Sequence, residues 1–346
     1  MPIDQRSGRR KFFLGAATVL ILSGLDVIAR ERTHMTTCLY ADDRLAAYGF
    51  PEGHPFGVDR QQAFLREATQ QDLLDKVQTE AGAAATLEAL ERFHQSAYIE
   101  KVRSAESSGI AYLDGGDTPV FPGVFETASW VVGSALKALD AVMSGKCVRT
   151  FQPIGGLHHA GRGHAAGFCV FNDLGVVIET LRGRYGIKRI AYVDIDVHFG
   201  DGVFYAFEDD PDIIIADIHQ DPRTLYPGTG FAEETGRGPA LGTKLNIALP
   251  PGSGDREFAA AWMQVERHFE KFPPEFIVLQ CGADGLDGDP LAGLRYSSET
   301  HALAARRLRD LADRHSNGRV MAFGGGGYNR NNIGRAWSAV LAQMLS

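Results

Sequence analysis

The sequence predicts one α/β domain, a central parallel sheet flanked by helices. Three observations predict it. Short apolar runs, partly β-branched or aromatic, recur at 189–194, 213–217, 244–248, 276–280 and 320–323. Helical patterns at 174–184, 255–269 and 297–315 lie between several of them. Polar residues able to do chemistry crowd at the ends of these runs, where open parallel sheets place their sites.

Upstream, residues 61–145 are rich in Ala, Leu, Gln and Glu at helical spacing. Helices are predicted over 61–77, 81–93 and 125–143. Gly115-Gly116-Asp117-Thr118-Pro119 reads as a loop. No Pro-, Ser- or Gly-rich linker divides the chain, so 35–346 reads as one α/β domain. Residues 1–34 read as a separate extension. There a basic cluster, Arg9-Arg10-Lys11, precedes an apolar run of 14 residues, 12–25. That is too short for a membrane span and resembles a twin-arginine export signal. No small-residue cleavage site follows, and Met35 as the true start is the competing reading. The expected location is cytoplasmic, or periplasmic if the signal works.

Composition excludes several classes. With 44% apolar and 23% charged residues the chain is neither disordered nor fibrous. A net charge of −8 argues against a nucleic-acid surface. The four cysteines, Cys38, Cys147, Cys169 and Cys281, lie far apart without a CxxC and read as reduced thiols.

Asp194-x-Asp196-x-His198 carries the strongest chemical signal. Alternate side chains on a strand share a face, so these three project together at the end of an apolar run. Two carboxylates and an imidazole side by side are costly without a cation or a hydrogen-bond network. Asp196 and His198 can supply two ligands of a catalytic-type divalent site, and Asp287 or Asp289 a third. Zinc suits the set, while Fe(II) or Mn(II) would accept it. His158 and His159, in a glycine-rich loop, are natural partners for the spare carboxylates Asp194 and Asp201. Such dyads make a general acid and base pair. Gly324 to Gly327 lets the backbone approach closely and can aim Tyr328 into a cleft as an oxyanion donor.

These residues, with Gly156-Leu157-His158-His159-Ala160, Gly167-Phe168-Cys169-Val170-Phe171-Asn172-Asp173, Tyr226-Pro227-Gly228-Thr229-Gly230 and Gly288-Asp289-Pro290-Leu291 in that order, resemble the zinc-dependent histone deacetylase superfamily. Its bacterial acetoin-utilisation proteins are included. The resemblance runs from about Tyr40 to Leu345 and implies the arginase/deacetylase-type fold. It implies Zn2+ on Asp196, His198 and Asp289, which selects Asp289 over Asp287. It further implies His159 as general base and His158 as its electrostatic partner or proton donor. Asp194 stands behind His158, Asp201 behind His159, and Tyr328 is the transition-state phenol. Gly167, Phe168 and Tyr226 would line the tunnel for an acyl-lysine stem, Asp117 would hold the substrate backbone, and Arg60 would lie deep in an internal channel. A structural K+ near Asp194, Asp196 and the His198 carbonyl is implied as well. The chain departs from the family at Phe199, where a second histidine is usual, and at Asp217, where a small hydroxyl residue often stands beside the potassium. The other histidines, including His54, His94, His268 and His301, read as structural or solvated.

The activity implied is hydrolysis of an acetylated lysine amide, with oligomeric state open. Alternatives are an amidohydrolase of acetylated polyamines or other small amides, a two-manganese ureohydrolase and a non-catalytic acyl-lysine reader. The histidine pair and Tyr328 argue against the last two.

Overall fold

The computed structural model describes residues 36–51 and 53–346. The export signal and the Met35 start lie outside the described residues. The elements are β1 (Thr37–Tyr40), α1 (Asp43–Ala46), α2 (Arg60–Gln70), β2 (Gln78–Glu80), α3 (Leu87–Leu90), α4 (Ser96–Ser108), α5 (Val124–Met143), β3 (Arg149–Gln152) and α6 (Asp173–Tyr185). They continue with β4 (Ile190–Asp194), α7 (Asp201–Ala206), β5 (Ile213–Gln220), β6 (Lys244–Leu249), α8 (Asp255–Lys271), β7 (Phe276–Gln280), α9 (Ser298–His315), β8 (Val320–Phe323) and α10 (Arg330–Leu345).

Among the described residues eight strands form one parallel sheet in the order β2-β1-β3-β8-β7-β4-β5-β6. Every residue of β4, β5 and β7 is buried, as expected of a sheet covered on both faces. The register brings the carboxyl ends level. Asp194 pairs with Gln280 on one side and Asp217 on the other, and Gln280 pairs with Phe323. The polar strand ends therefore meet in one place, and the loops after them must share it.

The flanking helices follow from apolar spacing and caps. In α8 the buried residues Phe258, Ala261, Trp262, Val265 and Phe269 form one stripe, and Glu257 accepts from the Gly254 N–H at 3.0 Å. The α6 N-terminus is capped by Asn172, whose Oδ1 accepts from Gly175 N at 2.8 Å. Among the described residues no helix is long and apolar enough to cross a membrane.

Three expectations need correcting. The helix predicted over 61–77 stops at Gln70, and the left-handed Asp72, at φ +51°, separates it from a short 3-10 turn at Leu74–Lys76. Residues 81–93 are not one helix; only the Thr86-capped turn of α3 is helical there. The Ala83–Ala85 backbone instead crosses α5 at Gly133, where an added Cβ would sit 2.1 Å from the Ala83 carbonyl oxygen, and Ala85 N donates to Ser129 O at 2.9 Å. A tertiary crossing thus overrides alanine's helix propensity. Nor are all four cysteines thiols. Cys38 and Cys147 form a disulfide with Cα atoms 6.0 Å apart, although 109 residues separate them. The pairing of Thr37 with Arg149 aligns β1 on β3 and makes the two cysteines neighbours, a proximity that linear spacing does not encode. Cys169 and Cys281 are free and buried, as expected.

His94 is buried, and its Nε2 accepts from Asn172 N at 2.9 Å. Burial lowers its pKa to about 3. Below pH 6.5 the unfolded chain therefore takes up a proton that the folded one refuses, and stability falls as pH drops from 6.5 toward 3. Denaturant midpoints should show a loss of about 2 kcal/mol from this residue by pH 5, with a shallower slope in His94→Gln.

Candidate active site

The loop after β4 carries Asp196 and His198 into the interior. Asp196 Oδ1 accepts from His198 N at 3.0 Å and lies 3.1 Å from His198 Nδ1. Its Oδ2 accepts from Gln280 Nε2 and from Gly326 N, both at 2.8 Å. One carboxylate thus ties together the loops after β4 and β8 and the end of β7. These donors and the neighbouring imidazoles hold Asp196 well below the usual carboxylate range, against the opposing effect of burial. Burial would lower His198, but Asp196 and Asp284 carry it up to about 10.

Asp196, His198 and Asp284 offer ligand atoms that all lie within 4.8 Å of one another. Asp284 Oδ1 accepts from Val197 N at 3.1 Å, but its buried Oδ2 makes no hydrogen bond and has only the His198 Nδ1 at 3.3 Å beside it. A buried carboxylate oxygen so poorly satisfied is expensive, and a cation supplies what it lacks. The donor set therefore fits a divalent ion. Sequence reasoning gave Asp284 no role; its place directly after the end of β7 was the available signal.

The other carboxylates sort clearly. Asp289 is buried in the loop after β7; its Oδ2 accepts from Tyr328 N at 2.8 Å and its Oδ1 from Leu291 N at 3.0 Å. It stands outside the 4.8 Å set, although its carboxylate is close enough to feel the His198 charge. Asp287 is a surface residue, its side chain 73% exposed and 4.0 Å from Arg295.

Both histidine–carboxylate pairs are present. His158 Nδ1 lies 2.8 Å from Asp194 Oδ2, and His159 Nδ1 lies 2.6 Å from Asp201 Oδ1. Asp194 is fully buried and also accepts from Tyr192 OH and Asp196 N; the Asp201 side chain is 20% exposed. The environments part the two imidazoles. Burial works against a charge on His158, yet Asp194 and Asp196 lift it to about 9. Burial and the adjacent His158 lower His159 to about 4, despite Asp201.

Their loop is placed by residues the sequence reading did not single out. Asp173 accepts from Gly156 N at 2.9 Å and Leu157 N at 2.8 Å, and Asn172 Nδ2 donates to Ala160 O at 2.8 Å. The N-terminus of α6 thus grips the histidine loop from both sides. Gly167 takes φ +51°, and an added Cβ there would lie 2.4 Å from the His159 ring. Phe168 follows at φ +69°, unusual for a non-glycine residue, held by Thr118 Oγ1 on its N–H and Tyr48 OH on its carbonyl.

A narrow cavity leads to these groups, lined by Phe56, Gly167, His158, His159, His198 and Tyr328 among others. Phe168 stands 5.9 Å from the Tyr328 ring and Tyr226 5.0 Å from the His159 ring. Burial raises the Tyr328 phenol well above its usual value, so it stays protonated as a donor. Arg60 is buried beneath, its Nε donating to Gly327 O at 2.9 Å, and so pins the glycine run that carries Tyr328. Asp117 is exposed at the mouth, in a turn organised by the Asp114 carboxylate. His54 stands beside it, 4.6 Å from the Phe168 ring.

A parallel-sheet α/β protein with a metal-type cluster, two His–Asp pairs and a phenol at its strand ends is a narrow class. Residues 54–344 match the family model described as Histone deacetylase domain. The chain is 35% identical over 309 residues to the acetoin utilization protein AcuC of Bacillus subtilis, covering 86% of this chain and 79% of that one. It is 32% identical over 319 residues to AcuC of Staphylococcus xylosus, covering 90% and 82%. The solved HD domain of HDA15 superposes with a TM-score of 0.83 at 25% identity, covering 90% of this chain and 88% of that one. An HDAC homolog complexed with SAHA gives 0.82 at 32% identity, covering 90% and 84%. The chain belongs to the histone deacetylase family. Membership supports deacetylase activity, a hydrolysis, and implies a metal ion.

Two outcomes follow from the geometry. After equilibration with Zn2+ and desalting, metal analysis should find the ion lost in Asp196→Asn and retained in Asp287→Asn. Gly167→Ala should push the His159 ring aside and lower turnover by roughly 10²-fold, the scale of an ångström-sized misplacement, with metal content unchanged.

Proposed function

We propose that the chain hydrolyses N-acetyl-lysine amides, releasing acetate and the free amine, with Zn2+ as its metal. The observation that carries this reading is the convergence of both His–Asp pairs and Tyr328 on the Asp196–His198 cluster at the floor of one aromatic-walled cavity. Asp196 and His198 would hold the ion, with a third carboxylate from the loop after β7. The resemblance favours Asp289, whose Oδ2 also holds the Tyr328 backbone, and Asp284 lies beside the same imidazole. When bound, the ion supplies Lewis-acid polarisation of the amide carbonyl and makes water acidic enough to attack.

The chain's own groups do the rest. With Nδ1 committed to Asp201, neutral His159 presents Nε2 as the base that takes the proton of the attacking water. Tyr328 donates its phenolic proton in a hydrogen bond to the oxygen that becomes negative as the carbonyl carbon turns tetrahedral. His158, backed by Asp194, holds positive charge beside that centre. As the C–N bond breaks, a histidine proton passes to the departing amine, which leaves neutral before it equilibrates with solvent. Phe168 and Tyr226 wall an apolar slot suited to a lysine stem. Asp117 at the mouth would accept from the substrate's backbone amide.

An exposed carboxylate at the entrance also suits a small cationic acetylated amine, which keeps an N-acetylated polyamine as a second substrate class. Acetate release by the zinc-loaded chain from an acetyl-lysine peptide should fall by about 10²-fold or more in Tyr328→Phe, the cost of losing one oxyanion donor, with metal content unchanged. Release from acetylpolyamines but not from the peptide would transfer the assignment to the small amine. Unaltered turnover in Tyr328→Phe would remove the phenol from the mechanism.

A further inference from the structure

Asp194 and Asp217 stand directly opposite each other on β4 and β5, and both are fully buried. Two carboxylates in that position need positive charge nearby. His158 faces Asp194 from the catalytic side. On the other side stands His219, two residues beyond Asp217 on the same strand and also fully buried. Its Nδ1 lies 2.7 Å from Asp217 Oδ1, and its Nε2 lies 2.8 Å from the Gly230 carbonyl oxygen. Both partners are hydrogen-bond acceptors. An imidazole flanked by two acceptors satisfies both only when each ring nitrogen carries a proton, which makes it a cation.

We infer that His219 is a built-in cation balancing the Asp194–Asp217 pair, and that it takes the place of the alkali ion that the resemblance leads one to expect there. The hydrogen bonding agrees. Asp217 Oδ2 accepts from Gly200 N at 3.0 Å and its Oδ1 is taken by His219. Asp194 Oδ1 accepts from Asp196 N at 3.0 Å, and its Oδ2 is shared by His158 and Tyr192. None of these four oxygens lacks a partner, in contrast to Asp284 Oδ2 in the metal cluster. Asp217 also raises the His219 pKa in spite of burial. A small hydroxyl side chain at position 217 would leave the imidazole without its counter-charge. Aspartate there and a doubly donating His219 form one device. It lies next to Gly200 and one strand from Asp194, so it steadies the electrostatics behind His158 without touching substrate.

The test uses thermal stability, a readout independent of which amide the chain cleaves. The zinc-loaded chain is melted at constant ionic strength while KCl replaces tetramethylammonium chloride, from none to about 150 mM. An ion bound at about 100 times its Kd raises Tm by several degrees, about 4 °C for a domain of this size. The wild-type curves should superimpose in the two salts. His219→Asn, which leaves two buried carboxylates short of charge, should melt lower and regain Tm in K+ but not in tetramethylammonium. A K+-selective rise in the wild-type Tm overturns the inference, and that arm stands even if the variant does not fold. A His219→Asn chain as stable as wild type, with no response to K+, overturns it as well.

Discussion

The site depends on one constraint, the burial of several carboxylates within a few ångströms of one another at the level ends of β4, β5 and β7. Asp194, Asp196, Asp217 and Asp284 are all inaccessible to water. Left ionised without partners they would repel each other at a cost far beyond a domain's net stability. Nearly every feature around them supplies a compensating donor or cation. Backbone N–H groups of Asp196, Val197, His198, Gly200 and Gly326 point inward at carboxylate oxygens. Three imidazoles, those of His158, His198 and His219, sit against the carboxylates. Asp284 Oδ2, which makes no hydrogen bond and has only His198 Nδ1 at 3.3 Å, lies where a divalent ion would complete the balance.

This demand explains the glycines that surround the cluster better than loop flexibility does. A Cβ on Gly282 would lie 2.0 Å from Asp196 Oδ2, and one on Gly326 would lie 2.0 Å from Asp284 Oδ2. Backbone comes this close so that Gly326 N–H reaches Asp196 and Gly282 N–H reaches Gln280 Oε1, and side chains are excluded by contact. The same close approach transmits order outward. Arg60 clamps the Gly327 carbonyl, Asp289 accepts the Tyr328 amide, and the phenol is thereby aimed from a run of four glycines that would otherwise be free to wander.

The parts legible in the sequence were those where chemistry and periodicity coincide on one short segment. The five apolar runs of the second half are strands, but only Asp194 ends one of them; Asp196 and His198 lie in the loop beyond, so strand alternation is not what brings the three together. That His158 and His159 would find partners in Asp194 and Asp201 followed from residue type, and which pairs with which from the family resemblance; both pairs are present in the geometry. What escaped was settled by contacts between distant segments. Strand β3 begins with a buried Arg149 that reaches Asp313 at 3.0 Å, so it lacks the apolar signature of its neighbours. Alanines 83–85 look helical and are not, because they cross α5 where Gly133 leaves room for them. Cys38 meets Cys147 only because β1 pairs with β3.

Asp217 and His219 show where residue-by-residue comparison stops. Position 217 was visible in the sequence as a departure from the family pattern, and alone it suggested only an altered ion site. Its meaning comes from the register, which sets it opposite Asp194, and from the loop that brings the Gly230 carbonyl to the far side of His219. Gly230 takes φ +95°, and a Cβ there would lie 2.5 Å from the Phe199 ring. That ring in turn packs 5.1 Å from His219, in the position where relatives usually carry a histidine. An aromatic hydrocarbon beside an imidazolium brings no competing donor. The two departures at 199 and 217 therefore belong to the same pocket, one providing the counter-charge and the other a neighbour that leaves the cation's protons for Asp217 and Gly230.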